Sequence, residues 1–148
     1  MANLFKANVG FSAGWTSAMA VSLVTSVVLF PHHVEQPELY GLSYLAIEGA
    51  LKGAGLPLVI LWLISFLRRP VSAHTGFLIS AVVALPLVSW KLWIVWDHYG
   101  AFPDWLPQKQ LLILLPTALV AGYVFGIVAN RVTPGASIDA MEPKPNHD

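Results

Sequence analysis

The 148 residues include eight lysine and arginine residues and eight aspartate and glutamate residues, so the formal net charge is zero with the five histidines neutral. Hydrophobic residues make up 56% of the chain and charged residues 11%, whereas a soluble domain carries about 25% charged residues. A soluble monomer of this composition would expose large apolar patches, which excludes an ordinary soluble domain. The balanced charge predicts no nucleic-acid partner, and the lack of cysteine excludes Fe–S clusters and cysteine-ligated zinc.

Four long apolar stretches predict four transmembrane helices, because a hydrocarbon core of roughly 30 Å requires about 20 residues per helix. The predicted spans cover residues 10–30, 41–67, 75–96 and 111–129. We expect an all-α integral membrane protein in which residues 10–130 form a four-transmembrane-helix bundle surrounded by the lipid bilayer. Residues 1–9 are predicted to be a short N-terminus and residues 131–148 a flexible tail, because this tail is polar and contains several prolines.

The positions of lysine and arginine predict the orientation of the helices, because these residues are enriched in cytoplasmic loops. Lys109 falls in a predicted loop on one side of the membrane. Five basic residues fall on the other side: Lys6, Arg68, Arg69, Arg131 and Lys144. This asymmetry predicts that both termini are cytoplasmic (N-in/C-in), in a bacterial-type cytoplasmic (inner) membrane. Residues 31–40 and 97–110 are then outer loops.

Small residues repeat every four positions in the predicted helices, a spacing that lets helix backbones approach closely. The first helix carries Gly10, Gly14, Ala18, Ser22 and Ser26, the second carries Gly49 and Gly53, and the fourth carries Ala118, Gly122 and Gly126. One interpretation is that these faces pack against each other inside one bundle. The alternative is that the stripe of the first helix contacts another membrane subunit or a second copy of the chain.

Three charged residues lie inside the predicted spans, namely Glu48, Lys52 and Lys91. Both lysines fall in one layer, with Lys52 about 8 Å below the outer edge of the hydrocarbon core. In one interpretation the lysines extend to the headgroups and Glu48 pairs with Lys52 one turn away. In another, the three residues line an outer vestibule with Glu48 as counter-charge or proton acceptor. A third interpretation pairs the lysines with a carboxylate or a lipid headgroup supplied by another subunit.

The predicted outer loops carry histidines and acids that would bind zinc or copper if they converged. The candidate ligands are His32, His33, Asp97 and His98. Their spacing matches no metal-binding motif, so ordinary polar residues at the membrane surface are the competing interpretation. Because no histidine lies within a predicted span, we expect no haem, and we predict no other cofactor.

Three classes of function are compatible with this sequence. The first is a non-catalytic structural, accessory or assembly subunit of a larger membrane complex. This class is favoured by the small-residue faces, the short loops and the lack of a catalytic motif. The alternative is a small oligomeric transporter or channel that uses the charged layer and helices interrupted by Pro57, Pro86 and Pro116. The second alternative is a membrane enzyme with a histidine and carboxylate site at the outer face.

Overall fold

The computed structural model describes residues 2–29, 39–67 and 70–132, and this part of the chain is helical without strands. The elements are α1 (Ala2–Leu29), α2 (Leu39–Phe66), α3 (Ala73–Tyr99), the short α4 (Trp105–Gln108), a π-helical segment (Lys109–Leu114) and α5 (Leu115–Arg131). Four stretches are long and apolar enough to span a membrane: Asn3–Leu29, Gly41–Phe66, Ala73–Tyr99 and Leu106–Arg131. The helical class and the four candidate spans confirm that part of the sequence prediction, and they indicate a multi-pass membrane protein.

The first and the last span begin several residues ahead of their predicted starts. α1 begins at Ala2, ahead of the span predicted from residue 10, because residues 2–9 contain neither proline nor glycine to interrupt the helix. The last span begins at Leu106, ahead of residue 111, and includes the π-helical segment, which the apolar pattern does not indicate. The Arg68–Arg69 pair and the tail from residue 133 lie outside the described residues.

α3 has a defined cap at each end. At its start, Ser72 Oγ accepts a hydrogen bond from the Thr75 amide at 3.1 Å, which satisfies one of the free N–H groups of the first turn. At its end, Gly100 adopts a left-handed φ of 65° and its amide donates to the Trp96 carbonyl at 2.8 Å. The cap at Gly100 extends α3 to Tyr99, three residues past its predicted end at residue 96.

α5 lies at the centre of the bundle, where it packs against α1, α2 and α3. A large apolar cluster that includes Leu58 and Phe125 fills the half of the bundle near the start of α1, and we call this the packed half. A smaller cluster of Val88, Ile113 and Leu114 lies in the opposite half. We call this opposite half the lysine half, because Lys52, Lys91 and Lys109 lie in it.

The small-residue stripe of α1 is buried inside the bundle. All of its predicted members are buried: Gly10, Gly14, Ala18, Ser22 and Ser26. A Cβ added to Gly14 would lie 2.6 Å from Leu58 Cδ2 and 3.0 Å from the Ala121 carbonyl oxygen, and one added to Gly49 of α2 would overlap Ser22. In this structure the stripe therefore packs within one chain, against α2 and α5, and is not an outer surface.

α3 and α5 meet along a seam of small residues. A Cβ added to Gly126 would lie 2.6 Å from the Ser72 carbonyl carbon and 2.7 Å from the Ala73 Cα, and one added to Gly76 would overlap the Gly122 backbone. α5 contributes Ala118, Gly122 and Gly126, all buried, and α3 contributes a buried row that the sequence analysis did not single out: Gly76, Ser80, Ala84 and Val88. The seam therefore requires glycine where the two backbones touch.

Pro116 follows the π-helical segment at the start of α5. Proline lacks an N–H and its ring crowds the carbonyl four residues earlier, so the preceding turn of a regular helix is disturbed. Thr117 Oγ1 donates to the Ile113 carbonyl at 2.6 Å, which satisfies an acceptor in the disturbed turn. The Leu114 carbonyl oxygen lies against Gly53 of α2, where an added Cβ would come within 2.7 Å. The segment is therefore packed closely against α2 at its end.

Candidate functional site

A cavity of about 230 Å³ lies in the lysine half, between α1, α2, α3 and the π-helical segment. Four charged side chains line it among the described residues: Glu48, Lys52, Lys91 and Lys109. The structure thus brings together the three charged residues that the sequence singles out, although they lie on two helices, and adds Lys109 from the last span. A cavity lined by several charges within spanning helices is a candidate binding site.

The Glu48 carboxylate is shared by two lysines. Lys52 Nζ donates a hydrogen bond to Glu48 Oε1 one helical turn away, and Lys109 Nζ lies 3.8 Å from the same oxygen. The Glu48 side chain is 14% exposed, against 48% for Lys52 and 35% for Lys109, so the carboxylate is more buried than its two partners. Glu48 is therefore the counter-charge that connects α2 with the π-helical segment at the cavity.

Lys91 of α3 has no carboxylate within ion-pair distance among the described residues. It is partly buried, and it lines both the main cavity and a narrow pocket that Lys52 also borders. The described lining residues include three lysines and one glutamate, which gives them a formal charge of +2. An unpaired charge in apolar surroundings is unfavourable. The cavity is therefore suited to an anion that supplies the missing negative charge.

Gln110 lines the same cavity and holds a buried acceptor without a partner among the described residues. The residue is 9% exposed, and its Oε1 has no hydrogen-bond partner in the described part of the chain. An unpaired buried acceptor costs about 1–3 kcal/mol, and most such groups in folded proteins have a partner. By contrast, Ser22 Oγ of α1 donates to the Leu45 carbonyl at 2.9 Å. Gln110 Oε1 has almost no accessible surface, so it is an unpaired acceptor enclosed by the protein and not a group that a ligand in the cavity reaches.

The position of Gln110 follows from the buried face of the last span. Gln110, Ile113 and Leu114 are the buried residues of the π-helical segment, and their face continues into α5 as Thr117 and Ala118. Gln110 is therefore the first residue of a buried helix face that is otherwise largely apolar, and it lies where this face borders the cavity. π-helical turns within longer helices are frequent at functional sites.

The structure does not bring the candidate metal ligands together in the part that it describes. Asp97 and His98 lie exposed at the end of α3, where the His98 ring packs edge-on against Tyr99 with centroids 4.7 Å apart. His32 and His33 lie outside the described residues. Among the residues that the structure does describe, no group of three or more histidines, aspartates or glutamates is close enough to hold a metal ion. The metal site remains a prediction from sequence.

Lys109 and Gln110 are not among the site residues that the sequence predicts, because the span predicted from residue 111 leaves both in an outer loop. A start signal for the longer helix is nevertheless present, since Asp104 is a favourable N-cap residue type and Pro107 lies in the first turn, where a missing N–H is tolerated. A helix that starts after Asp104 would include Lys109.

No protein family, curated protein or solved structure matches this chain. Among the described residues, the charged groups that line the cavity are three ammonium donors and one shared carboxylate.

Proposed function

We propose that this protein is a small multi-pass membrane transporter that binds an anionic solute in the cavity of the lysine half. One observation carries the proposal: Lys52, Lys91 and Lys109 converge on one cavity within helices long enough to span a membrane. Ionisable residues within membrane spans often line the path of a substrate. Three lysines around one cavity favour this role over separate contacts with the headgroups.

The distribution of charge supports an anion as the solute. Lys52 and Lys109 share the Glu48 carboxylate, whereas Lys91 has no acidic partner among the described residues. An anion 4 Å from an ammonium group gains about 4 kcal/mol of Coulomb attraction at an effective dielectric constant of 20, before the loss of hydration is subtracted. We therefore place the bound anion beside Lys91, on the side of the cavity where Glu48 repels it least.

The π-helical segment, which borders the cavity and precedes Pro116, supports transport over static binding. α2 and α3, by contrast, stay continuous helices through Pro57 and Pro86. Transporters place interrupted helices at their substrate sites, because these helices leave backbone groups free and change shape readily. We propose an oligomer in a bacterial-type inner membrane with cytoplasmic termini, so that the cavity faces the outer side.

Uptake into proteoliposomes tests the proposed function. The full-length protein is reconstituted, and the entry of radiolabelled phosphate, sulfate and chloride is measured under a fixed membrane potential. We expect wild type to carry at least one of these anions and Lys91→Met to slow its entry by about tenfold or more, because the variant removes a charge-assisted contact. Methionine retains most of the length of lysine.

Lys6→Met is the matched control for this experiment, because Lys6 lies near the start of α1, in the half opposite the cavity. We expect it to transport like wild type. An absence of anion uptake by wild type contradicts the proposed function. Equal uptake rates for the two variants also contradict it.

A second candidate is a non-catalytic subunit of a larger membrane complex, because α3 has a broad outer face. In the most apolar stretch of α3, 17% of the residues are buried, whereas 44% are buried in the corresponding stretch of α2. Trp90, Trp93 and Trp96 of α3 are each more than half exposed. Tryptophans also anchor helices at the membrane surface, so lipid alone accounts for this face. Native mass spectrometry after gentle extraction from the native membrane distinguishes the candidates. Other subunits support a complex, and a symmetric homo-oligomer supports the transporter.

A further inference from the structure

The uncompensated positive charge of the cavity is divided between two of its sides. On α3, Lys91 has no acidic partner among the described residues. On the side formed by α2 and the π-helical segment, Lys52 and Lys109 share the Glu48 carboxylate, so two ammonium groups face one negative charge. Among the described lining residues, one positive charge is therefore left over on each side, which together gives the formal charge of +2.

The two sides are close enough for one small ligand to bridge them. Lys52 and Lys91 border the same narrow pocket, of about 10 Å³, which adjoins the main cavity. Lys91 also lies within electrostatic range of Lys109. The cavity of about 230 Å³ holds a group of a few non-hydrogen atoms together with water, since one water molecule takes up about 30 Å³ in the liquid. A ligand beside Lys91 is therefore within reach of the ammonium groups on the other side.

We infer that the cavity selects a divalent anionic group, whose two negative charges compensate the positive charge left over on each side. The inference rests on the proposed function and names the class of its substrate. A tetrahedral oxyanion such as sulfate or hydrogen phosphate fits, because its charge is spread over oxygens that point in different directions. A monovalent anion such as chloride compensates one side and leaves an ammonium charge on the other without a counter-ion.

The position of the cavity limits what a divalent anion loses on binding. Such an anion gives up a large hydration energy when it is fully buried. The cavity is bordered by Leu106 at the start of the last span, and the side chains of Lys52 and Lys109 are 48% and 35% exposed. An anion at this end of the spans keeps part of its hydration shell while it contacts the lysines. The second charge therefore adds attraction without the full cost of dehydration.

Sulfate and perchlorate are matched probes for this inference, because both are tetrahedral ions with four oxygens but carry two and one negative charges. Ordinary protein surfaces favour the opposite order, since sulfate is excluded from them, whereas perchlorate loses its water readily. A preference for sulfate therefore reports a site with two positive charges to compensate, and not general adhesion of anions to a positively charged surface.

The first arm of the experiment measures the affinity of both probes for the full-length protein in detergent by calorimetry, at pH 7 and fixed ionic strength. We expect wild type to bind sulfate about tenfold more tightly than perchlorate, because the second charge adds a charge-assisted contact. Lys91→Met leaves one uncompensated charge, so we expect its preference to fall several-fold. Lys6→Met is the control and keeps the wild-type preference, since Lys6 lies near the start of α1, outside the cavity lining.

A further pair of variants tests whether the balance of charge, and not one particular side chain, determines the preference. Lys109→Met leaves Lys52 and Glu48 as a one-to-one ion pair. Lys91 is then the one uncompensated cation of the described lining, so we expect the preference to fall as in Lys91→Met. Glu48→Gln together with Lys109→Met frees Lys52 and restores two uncompensated cations, so we expect the wild-type preference to return. A double variant as unselective as Lys109→Met contradicts the inference.

A lipid headgroup is a second source of the same chemistry, and the second arm tests it in nanodiscs at pH 8. These contain equal amounts of phosphatidic acid, whose headgroup carries up to two negative charges, and phosphatidylmethanol, whose methylated phosphate carries one. Native mass spectrometry counts the lipids that the released protein retains. Preferential retention of phosphatidic acid by wild type, and not by Lys91→Met, assigns the divalent group to a lipid and supports the inference. A sulfate preference in the first arm assigns it to a free solute and equally supports it.

Wild-type protein without a preference for the divalent probe in either arm overturns the inference, and so does Lys91→Met protein that keeps the full wild-type preference. The wild-type comparison needs no variant, so a variant that fails to fold does not remove the test. The proposed function fails separately: selective binding of the divalent probe without anion uptake by proteoliposomes removes transport and leaves this inference intact. Conversely, anion uptake by a protein that binds sulfate no more tightly than perchlorate supports transport and removes this inference.

Discussion

The packed half and the lysine half both bring helices together through small residues, but they differ in what fills the space between the helices. In the packed half, Gly14 lets α1 approach Leu58, and the fully buried Phe125 occupies the interior. In the lysine half, Gly49 lets α2 touch Ser22 of α1, yet a cavity of about 230 Å³ remains beside this contact. Glycine spacing thus determines where backbones meet, whereas large apolar side chains determine whether a cavity is left.

This difference separates stability from binding. Interiors packed at the density of organic crystals tolerate little change in volume, so substitutions in the packed half are expected to act on the free energy of unfolding. The lysine half has room and uncompensated charge, so substitutions there are expected to act mainly on anion affinity. Three substitutions test this separation, in order of decreasing expected effect on stability.

Gly126→Ala is expected to have the largest effect, because the new Cβ would meet backbone atoms of Ser72 and Ala73, which cannot move away as a side chain can. We expect the free energy of unfolding to fall by about 2 kcal/mol or more. Gly55→Ala is the matched control, since its Cβ would meet Leu51 Cδ1 at an ordinary 3.6 Å and alanine favours the helix. Circular dichroism during a titration with denaturing detergent measures the free energy of unfolding of both variants. Equal stability of the two variants would contradict the close backbone packing at Gly126.

Glu48→Gln is expected to change stability and binding in opposite directions. Glutamine keeps the size of the side chain and still accepts a hydrogen bond from Lys52, but the ion pairs with Lys52 and Lys109 are lost, which lowers stability by about 1 kcal/mol. Removal of the negative charge raises the positive potential of the cavity, so phosphate affinity rises several-fold.

The control for Glu48→Gln is Asp97→Asn, which neutralises an exposed acid at the end of α3 outside the cavity lining. Calorimetric titration with inorganic phosphate should give wild-type affinity for this control. If Glu48→Gln instead leaves phosphate affinity unchanged or weakens it, Glu48 is not the counter-charge of an anion site.

The fold was predictable from sequence because it depends on local signals. The length of each apolar stretch determines the number of spanning helices, and the four-residue spacing of small residues indicates the faces that become buried in α1 and α5. The same spacing in α3, from Gly76 to Val88, mixes glycine, serine, alanine and valine, so it does not by itself predict the seam with α5. A stripe of unlike residues is recognisable as buried once its partner helix is known.

The site was predictable only in part, because a cavity depends on how separate helices meet. Glu48 and Lys52 lie one turn apart, so their pairing follows from helix geometry alone. The approach of Lys109 to Glu48 depends on a tertiary contact between α2 and the last span, which no local pattern encodes. Gln110 carries no charge and lies outside the predicted span, so its burial beside the cavity is visible only in the folded structure.

Lys52→Met has the smallest expected effect on stability, and it tests whether the lysine half needs its charges for folding. Lys52 is about half exposed and pairs with Glu48 within one helix. A pair of this type contributes about 0.2–0.5 kcal/mol. Lys109 remains 3.8 Å from the same carboxylate when Lys52 is replaced. We therefore expect a loss of at most about 0.5 kcal/mol in the detergent titration. Phosphate binding should weaken less than in Lys91→Met, because Lys52 is already paired and Lys91 is not. A stability loss as large as that of Gly126→Ala would mean that the lysine half depends on its charges for folding, and the separation between the two halves would not hold.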